Sequence, residues 1–377
     1  MTIVFFSNYL NHHLVQVFDE LYNLTDRNFY FVATTSMPKF RKTLGYEDYS
    51  DRPYLIKAFE DKEQLAIAKE LSVCSDVAIF GGITTLVYEK ERLKRGLLTF
   101  NCSERWLKKG IINVLSPKLL KYMYYYFKYT NLNHFKLCSS AFAASDHLRL
   151  GMFRNRCFKW GYFPMVNKKQ DCLTMKGKEG EKVRLLWCAR LIKLKHPELP
   201  ILLAKKLKNE GYCFELNMYG NGEDYDNCLT LIKKHNLEDV VHLKGAVKNS
   251  EVLDAMKRHD IFLFTSDRRE GWGAVTNEAM SNACVVVGSD KIGSIPFLIK
   301  DGENGCIFES GSLNSLYQKA KWLLDNPEIR YKLSIQSFKT ITELWSPQVA
   351  ANNLIKLSEC LLLGKESPIK EGPCSKV

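Results

Sequence analysis

The sequence lacks the patterns that mark several common kinds of site. Its 12 cysteines never form a C-x-x-C pair, so neither a structural zinc site nor a thioredoxin-like redox site is indicated. Several of them, such as Cys188 and Cys284, lie inside apolar runs, which favours free buried thiols in a reducing compartment. No G-x-G-x-x-G motif follows a predicted strand, which removes the main support for a nicotinamide or flavin site. No D-x-D pair stands directly at a strand end, so no metal ion is implied.

Long apolar runs are absent, and acidic residues are scarce in one region. No run approaches the roughly 20 apolar residues that a bilayer-spanning helix needs, and the first residues show no basic segment followed by a cleavage site. We therefore expect a cytoplasmic protein. Residues 101–180 contain 15 Lys and Arg but 4 Asp and Glu. Such a basic region favours an anionic partner, which leaves nucleic acid, an anionic membrane surface and an acidic substrate open.

Short apolar runs alternate with amphipathic segments along most of the chain. With helices between them, strands are predicted at 2–6, 29–33, 77–80, 97–100, 183–188, 214–218, 240–243 and 261–264. This alternation is typical of α/β domains with a parallel sheet. The predicted organisation is a first domain at 1–165, a polar lysine-rich linker at 166–182, a second domain at 183–345, a helix at about 346–363 and a disordered tail at 364–377.

Two carboxylates follow the predicted strand at 261–264. Glu270 lies in the loop after this strand, and Glu278 lies near the start of the next predicted helix. Gly273 between them permits positive φ and a close approach of the backbone to a ligand, and the first amides of the helix can bind an anion. Because parallel sheets bind ligands at the carboxyl ends of their strands, this stretch is the main candidate for a ligand site.

Further candidates follow the predicted strands at 183–188 and 214–218. Arg190 and Lys195 come directly after the first of these strands. A guanidinium and a nearby ammonium form a suitable clamp for a diphosphate, the first by paired hydrogen bonds and the second by charge. Gly220 and Gly222 make a G-x-G turn after the second strand.

These motifs resemble those of the retaining GT-B glycosyltransferases of family 4, the glycogen-synthase-like group. The resemblance rests on the E-x7-E spacing of Glu270 and Glu278, the R-x4-K spacing of Arg190 and Lys195, and the G-x-G turn. It covers residues 183–345, whereas the first 160 residues share only the architecture. It implies two Rossmann-like doubly wound parallel-sheet domains that face an interdomain cleft, with the helix at about 346–363 returning to the first domain.

The resemblance also implies an activity and roles for the matched residues. The activity is transfer of a hexose from a UDP- or GDP-sugar to a glycan or lipid-linked acceptor, with retention and without a metal ion, in the assembly of a bacterial cell-surface polysaccharide. Arg190 and Lys195 would neutralise the donor diphosphate, Glu270 would hold the sugar hydroxyls, and Glu278 would hold the ribose. Nucleotide or phosphate contacts are expected from Gly220, Gly222, Gly273, Ala274, Val275 and Thr276.

The N-terminal half offers fewer candidates. Loops after its predicted strands contain His12 and His13, the pair Gly81-Gly82, and Glu104 with Arg105. Members of the resembling family often have a histidine on the loop that carries Glu104 here, and this chain has none. The aromatic, lysine-flanked segment at 105–136 fits peripheral contact with an anionic membrane surface, and it fits a buried aromatic helix equally well.

Two other functional classes remain open from the sequence. A nucleic-acid-binding protein would explain the basic region, but no recognised reading motif accompanies it, so nucleic acid is not the expected partner. A non-catalytic nucleotide-sugar-binding protein on the same fold would keep the donor site without transfer. The intact pair of Glu270 and Glu278 favours the enzyme.

Overall fold

The computed structural model describes residues 1–38, 49–82, 85–129, 132–166, 173, 176 and 182–377. The chain forms two compact units, one from Met1–Met165 with Leu344–Val377 and the other from Val166–Glu343. The predicted linker at 166–182 lies largely outside the described residues. Lys176 is an exception, because its ammonium donates to the carbonyl of Met256 at 2.9 Å and to that of His259 at 2.6 Å.

The first unit contains a parallel sheet of seven strands. The strands are β1 Ile3–Ser7, β2 Phe29–Ala33, β3 Leu55–Lys57, β4 Val77–Gly81, β5 Thr99–Ser103, β6 His134–Cys138 and β7 Cys157–Lys159. Their order across the sheet is β3-β2-β1-β4-β5-β6-β7. The described helices between them are α1 His12–Leu24, α2 Lys62–Cys74, α3 Leu86–Lys94, α4 Pro117–Tyr129 and α5 Ala143–Arg149.

The second unit contains a parallel sheet of six strands. These are β8 Val183–Cys188, β9 Phe214–Tyr219, β10 Val241–Gly245, β11 Ile261–Phe264, β12 Val285–Ser289 and β13 Cys306–Phe308, in the order β10-β9-β8-β11-β12-β13. The helices are α6 Glu198–Asn209, α7 Tyr225–Lys234, α8 Asn249–Arg258, α9 Val275–Ser281, α10 Ile295–Leu298, α11 Leu313–Asp325 and α12 Pro327–Lys339.

Both sheets are doubly wound, and the direction of winding reverses between β1 and β4 in the first and between β8 and β11 in the second. The central strands are buried on both faces because helices cover both sides of the sheet, and all four residues of β11 are at most 2% exposed. A ligand of a doubly wound sheet binds at the carboxyl ends of the strands that flank the reversal. The loops after β8 and β11 therefore stand where the sequence placed its main candidates.

The chain returns to the first unit through α13, Pro347–Leu362, which packs against α1. Ser346 caps this helix by accepting a hydrogen bond from the amide of Val349, and a serine cap of this kind typically contributes about 1 kcal/mol. No helix in the described ranges is both long enough and apolar enough to cross a membrane.

The prediction of a disordered tail at 364–377 is wrong. The last residues lie along β7, where the amide of Cys374 donates to the carbonyl of Lys159 at 2.7 Å and the amide of Lys159 donates to that of Ser375 at 2.8 Å. The Cys374 side chain is fully buried. Pairing with the edge strand satisfies backbone groups of both segments, and this gain does not depend on an apolar composition.

Candidate functional site

Two loops of the second unit are joined at the carboxyl end of its sheet. Thr265, directly after β11, donates its hydroxyl proton to the carbonyl of Lys195 at 2.7 Å and accepts a hydrogen bond from the Trp187 indole at 2.9 Å. The amide of Asp267 donates to the carbonyl of Leu194 at 3.0 Å. These bonds fix the loop after β8 against the loop after β11.

This junction brings two of the predicted catalytic residues together. The Lys195 ammonium donates to the Glu270 carboxylate, and each side chain is 15% exposed. The ammonium also lies 5.7 Å from the centre of the Phe264 ring. Because an ion pair in a partly desolvated site is stronger than one at the surface, each partner holds the other in a defined position. A ligand with phosphate and hydroxyl groups can engage the cation and the carboxylate at the same time.

Glu278 lies on α9 and is nearly fully buried. Burial raises the pKa of its carboxyl to about 7, while a hydrogen bond from the Asn249 side chain acts in the opposite direction. Glu278 also lies close to Cys188 at the end of β8, where burial and the nearby carboxylate raise the pKa of the thiol to about 12. The carboxyl is therefore held near the strand end that precedes Arg190.

The loop before α9 contains Gly273, which has the positive φ that its position in the sequence suggested. Gly273 has φ of 83°, and a Cβ atom there would lie 2.5 Å from the Phe264 ring. Only glycine fits because both the conformation and the space exclude a side chain. Ala274 is the N-cap and Val275 begins the helix. The amide of Thr276 donates to the carbonyl of Gly273 at 3.0 Å, so this amide is engaged by the loop before the helix. The Thr276 side chain points inward, with its hydroxyl 3.0 Å from that of Ser294.

Gly220 and Gly222 allow the loop after β9 to touch the loop after β8. A Cβ atom on Gly220 would lie 1.9 Å from the carbonyl oxygen of Ala189, and one on Gly222 would lie 2.2 Å from that of Leu191. The amide of Leu191 donates to the carbonyl of Asn221 at 3.0 Å. The two glycines therefore allow these loops to pack closely, and the nucleotide contact expected from them stays a prediction.

Arg190 lies in the same loop with an exposed side chain, so its position leaves the guanidinium accessible to a ligand. Sequence reasoning missed Asn249, which belongs to α8 and reaches Glu278 from another part of the sheet. It also missed His196, which has φ of 49° and lies 2.8 Å from Glu198. Neither residue belongs to a local motif. The position of His196 directly after Lys195 could have marked it as a neighbour of the candidate site.

The first unit has its own cavity of about 420 Å3 at the carboxyl ends of its central strands. Loops after β1, β4 and β5 and one face of α4 form its wall, which includes Ser7, Asn11, Gly82, Asn101, Ser103, Glu104, Trp106, Tyr122 and Tyr126. The predicted loops thus meet around one space. Polar groups in the wall of an aromatic-lined cavity are typical of small-molecule sites.

His13 and Glu104 both contact Tyr162, a residue that lines this cavity. His12 and His13 begin α1, and the His13 ring stacks on Tyr162 with 5.5 Å between ring centres. Glu104 lines the cavity, accepts a hydrogen bond from the Tyr162 hydroxyl at 3.0 Å and pairs with Lys108 at 2.5 Å. Glu104 therefore presents a carboxylate to the space, supported from two sides.

Arg105 is a structural residue. Its guanidinium forms a buried ion pair with Asp146 at 3.1 Å, and Asp146 also accepts from the amide of Leu107 at 2.9 Å. Removing one member of a buried pair leaves an uncompensated charge, which typically costs 3–5 kcal/mol. Arg105 also lines the cavity, but Asp146 engages its guanidinium, so Glu104 is the favoured ligand-contact candidate from this loop.

A buried polar cluster lies behind the cavity wall. The Lys136 ammonium is fully buried and donates to Asn101 and to the Ser103 hydroxyl. The Tyr126 hydroxyl donates to Glu89 at 3.0 Å. Burial lowers the pKa of Lys136 and raises the pKa of Tyr126 well above its usual value. Because Asn101, Ser103 and Tyr126 all line the cavity, the cluster fixes the orientation of its polar wall.

The two doubly wound sheets define the GT-B glycosyltransferase fold. The structure of HepE from Anabaena in complex with UDP superposes on this chain with a TM-score of 0.70 at 14% identity, covering 94% of this chain and 98% of that one. At 14% identity, the similarity between the two structures shows the fold alone.

The match to a family model lies within the second unit. Residues 174–340 are similar to the model described as glycosyl transferases group 1. The poly(glycerol-phosphate) alpha-glucosyltransferase of Bacillus subtilis is 28% identical over 147 residues, which are 39% of this chain and 21% of that protein.

A second relative comes from Campylobacter jejuni. It is the N-acetylgalactosamine-N,N'-diacetylbacillosaminyl-diphospho-undecaprenol 4-alpha-N-acetylgalactosaminyltransferase, which is 32% identical over 146 residues, or 39% of this chain and 38% of that protein. The chain thus spans well under half of the length of either curated relative.

Proposed function

We propose that this protein is a glycosyltransferase that moves a hexose from a UDP- or GDP-sugar to a glycan or lipid-linked acceptor, with retention at the anomeric carbon. The observation that carries the proposal is the contact between Lys195 and Glu270 beside Glu278, at the reversal point of the sheet in a unit that is similar to the group 1 model. A cation for phosphate and carboxylates for hydroxyls are the groups that a nucleotide-sugar requires.

In this proposal the residues act on the donor in distinct ways. Lys195 and Arg190 bind the diphosphate and stabilise the negative charge that grows as the bond from the sugar to the diphosphate breaks. Glu270 accepts hydrogen bonds from the sugar hydroxyls, and Glu278 accepts them from the ribose. The acceptor oxygen bonds to the anomeric carbon on the face that the diphosphate leaves, and a departing phosphate oxygen takes the acceptor proton.

The names of similar proteins support a nucleotide donor and a glycan or lipid-linked acceptor. HepE was solved with UDP, which supports a uridine nucleotide as the first donor to test. The Bacillus relative is named for a poly(glycerol-phosphate) acceptor and the Campylobacter relative for a diphospho-undecaprenol acceptor. On this basis we also propose that the protein associates peripherally with the inner face of the membrane.

The test combines ligand binding with substitution of the four charged residues. Titration with UDP-, GDP- and ADP-sugars should identify one tight donor, and Glu270→Gln, Glu278→Gln, Arg190→Ala and Lys195→Ala should each reduce transfer about a hundredfold or more, because each loses a charged contact to the donor. Lys193→Ala, an exposed lysine of the same loop, is the matched control and should retain near-parental transfer.

Two results would contradict the proposal. Near-parental transfer in any two of the four variants would remove the site assignment. Tight binding of one donor without transfer or hydrolysis, across glycan and lipid-linked acceptors, would favour the non-catalytic nucleotide-sugar-binding alternative.

Transfer should not require a divalent metal ion, since Arg190 and Lys195 supply the positive charge that a metal supplies in other glycosyltransferases. Activity measured after extensive dialysis against EDTA should stay within about twofold of the untreated protein. A loss that only Mg²⁺ or Mn²⁺ restores would show that the leaving group is stabilised in another way.

A further inference from the structure

One face of the first unit exposes six large apolar side chains, here called the apolar surface. They are Ile111, Ile112, Leu115, Leu120, Tyr124 and Phe127. Five of them are between 61% and 75% exposed, and Leu120 is 48% exposed. A contiguous apolar area on a protein surface commonly marks an interaction site.

The helical repeat explains why α4 has apolar side chains both inside and outside. Tyr122 and Tyr126 lie one turn apart and are buried, while Leu120, Tyr124 and Phe127 follow the spacing of a second stripe around the helix. The two faces of this helix therefore differ in burial, and contact with a membrane stays a prediction. The inner tyrosines belong to the core and the cavity wall, and the outer stripe is solvent-exposed.

Two features extend the outer stripe into a surface. The one-turn 3-10 helix Ile111–Leu115 packs against α4 and carries three of the six side chains. On the other side, Leu150 and Met152 form a groove of about 390 Å3 together with the outer stripe of α4. The apolar surface therefore consists of a projecting turn, a helix face and a concave groove beside it.

Exposed lysines surround the apolar surface. Lys109 precedes the 3-10 turn, and Lys121 and Lys128 lie on α4, all with exposed side chains. Residues 101–180 as a whole contain 15 basic and 4 acidic side chains. This charge opposes packing of a second copy of the same face, because two such faces would repel each other. It complements an anionic lipid leaflet, to which each nearby lysine is attracted within a Debye length.

We infer that the apolar surface inserts into the interfacial layer of an anionic lipid bilayer, with Lys109, Lys121 and Lys128 at the headgroup level. The inference rests on the proposed function, since it states where the acceptor is met. The opposite face of α4 lines the cavity through Tyr122 and Tyr126. One helix thus separates the lipid contact from the cavity, an arrangement that suits an acceptor with a polar glycan head and an apolar anchor.

The test measures co-sedimentation of the full chain with vesicles of phosphatidylethanolamine and phosphatidylglycerol. The variant Ile111→Asn/Ile112→Asn/Leu115→Asn should lower the partition coefficient at least about tenfold, because three exposed apolar side chains leave the bilayer. The matched control Leu24→Asn/Leu362→Asn/Leu363→Asn changes three exposed leucines elsewhere in the same unit, and it should bind vesicles like the parent.

A second measurement distinguishes insertion from surface attraction. The variant Ile112→Trp should gain tryptophan emission that brominated lipids quench, whereas purely electrostatic contact would leave that emission unquenched. UDP binding by calorimetry should be the same in the parent, the apolar-surface variant and the control, since Lys195 and Glu278 lie in the other unit. Failure of the parent to bind either UDP or GDP would instead contradict the proposed function.

Three outcomes would overturn the inference. They are absence of vesicle binding by the parent, equal binding by the triple asparagine variant, and a parent dimer that this variant converts to a monomer. The last outcome would assign the apolar surface to contact between copies of the chain.

Discussion

Glu278 is the donor-site candidate whose chemistry is most altered by its surroundings. Its carboxyl has a pKa of about 7 because it is buried on α9, so it is largely neutral below that pH. An ionised carboxylate accepts hydrogen bonds from two ribose hydroxyls, whereas the protonated group has less acceptor capacity. UDP affinity should therefore rise between about pH 6 and pH 8. Calorimetric titration across this range should show the rise in the parent and a flat profile in Glu278→Gln.

The same pKa predicts a stability cost that the variant removes. The folded-state pKa lies above the ordinary value of 4.5, so the contribution of this group to folding is fully present below that pH and is lost as the pH rises towards 7. Glu278→Gln should thus exceed the parent in free energy of unfolding by on the order of 2 kcal/mol at pH 8, with a much smaller difference near pH 5. Urea unfolding at both pH values tests this, and equal differences would contradict it.

The residue scale also shows what the sequence was able to predict. Glu270, Glu278, Arg190 and Lys195 were identifiable as candidates because they follow predicted strand ends, the binding edge of a parallel sheet, and because their spacings resemble the signatures of a known family. Their mutual positions were not, since the contact between Lys195 and Glu270 depends on Thr265 and Asp267 joining two loops. Asn249 had no local signal, because it reaches Glu278 from a helix distant in the chain.

Among the elements, the bounds of the predicted strands differ from the observed ones by at most three residues, because their apolar runs reflect burial on both faces. The strand at 183–188 and that at 261–264 have the predicted bounds. After α9, Ala283 has φ of 58°, and the next strand begins at Val285. A left-handed residue is usual after a helix and is most often glycine, so Ala283 adopts a conformation that favours glycine.

The tail shows the limit of composition as evidence. Its residues are polar and rich in turn formers, yet they pair with the edge strand β7 and bury Cys374. Removing residues 371–377 should lower the free energy of unfolding by about 3 kcal/mol, since several backbone hydrogen bonds and a buried side chain are lost. Chemical denaturation measures the change.

The matched control for the truncation is Glu366→Ser. Glu366 is exposed and pairs with Lys376 at 3.1 Å, and an exposed ion pair contributes between 0 and about 1 kcal/mol. A truncated protein as stable as the parent would show that the pairing along β7 contributes little to folding.

At the scale of the whole molecule, each unit has its own sheet and its own core. The sequence resemblance and the family match both fall mainly on the second unit, which is the unit that binds the nucleotide-sugar in the proposal. The first unit shares the architecture, and its candidate site is the cavity at its strand ends, with the apolar surface on the other face of α4. In the proposal this unit binds the acceptor. Acceptors differ between such enzymes, so no shared motif marked the binding residues in this half of the sequence.

This division predicts where a nucleotide protects the backbone. Hydrogen exchange with saturating UDP should slow in the loops after β8, β9 and β11 and at the start of α9, because these strand ends contain the diphosphate and ribose contacts of the proposal. A ligand at 100 times its dissociation constant adds about 2.7 kcal/mol to the state that binds it, which is ample for detection by mass spectrometry. Glu278→Gln should weaken the protection in proportion to its lost affinity, whereas Lys193→Ala should keep it. Protection confined to the loops after β1, β4 and β5 would place the nucleotide in the first unit, and it would reverse the assignment of donor and acceptor sites.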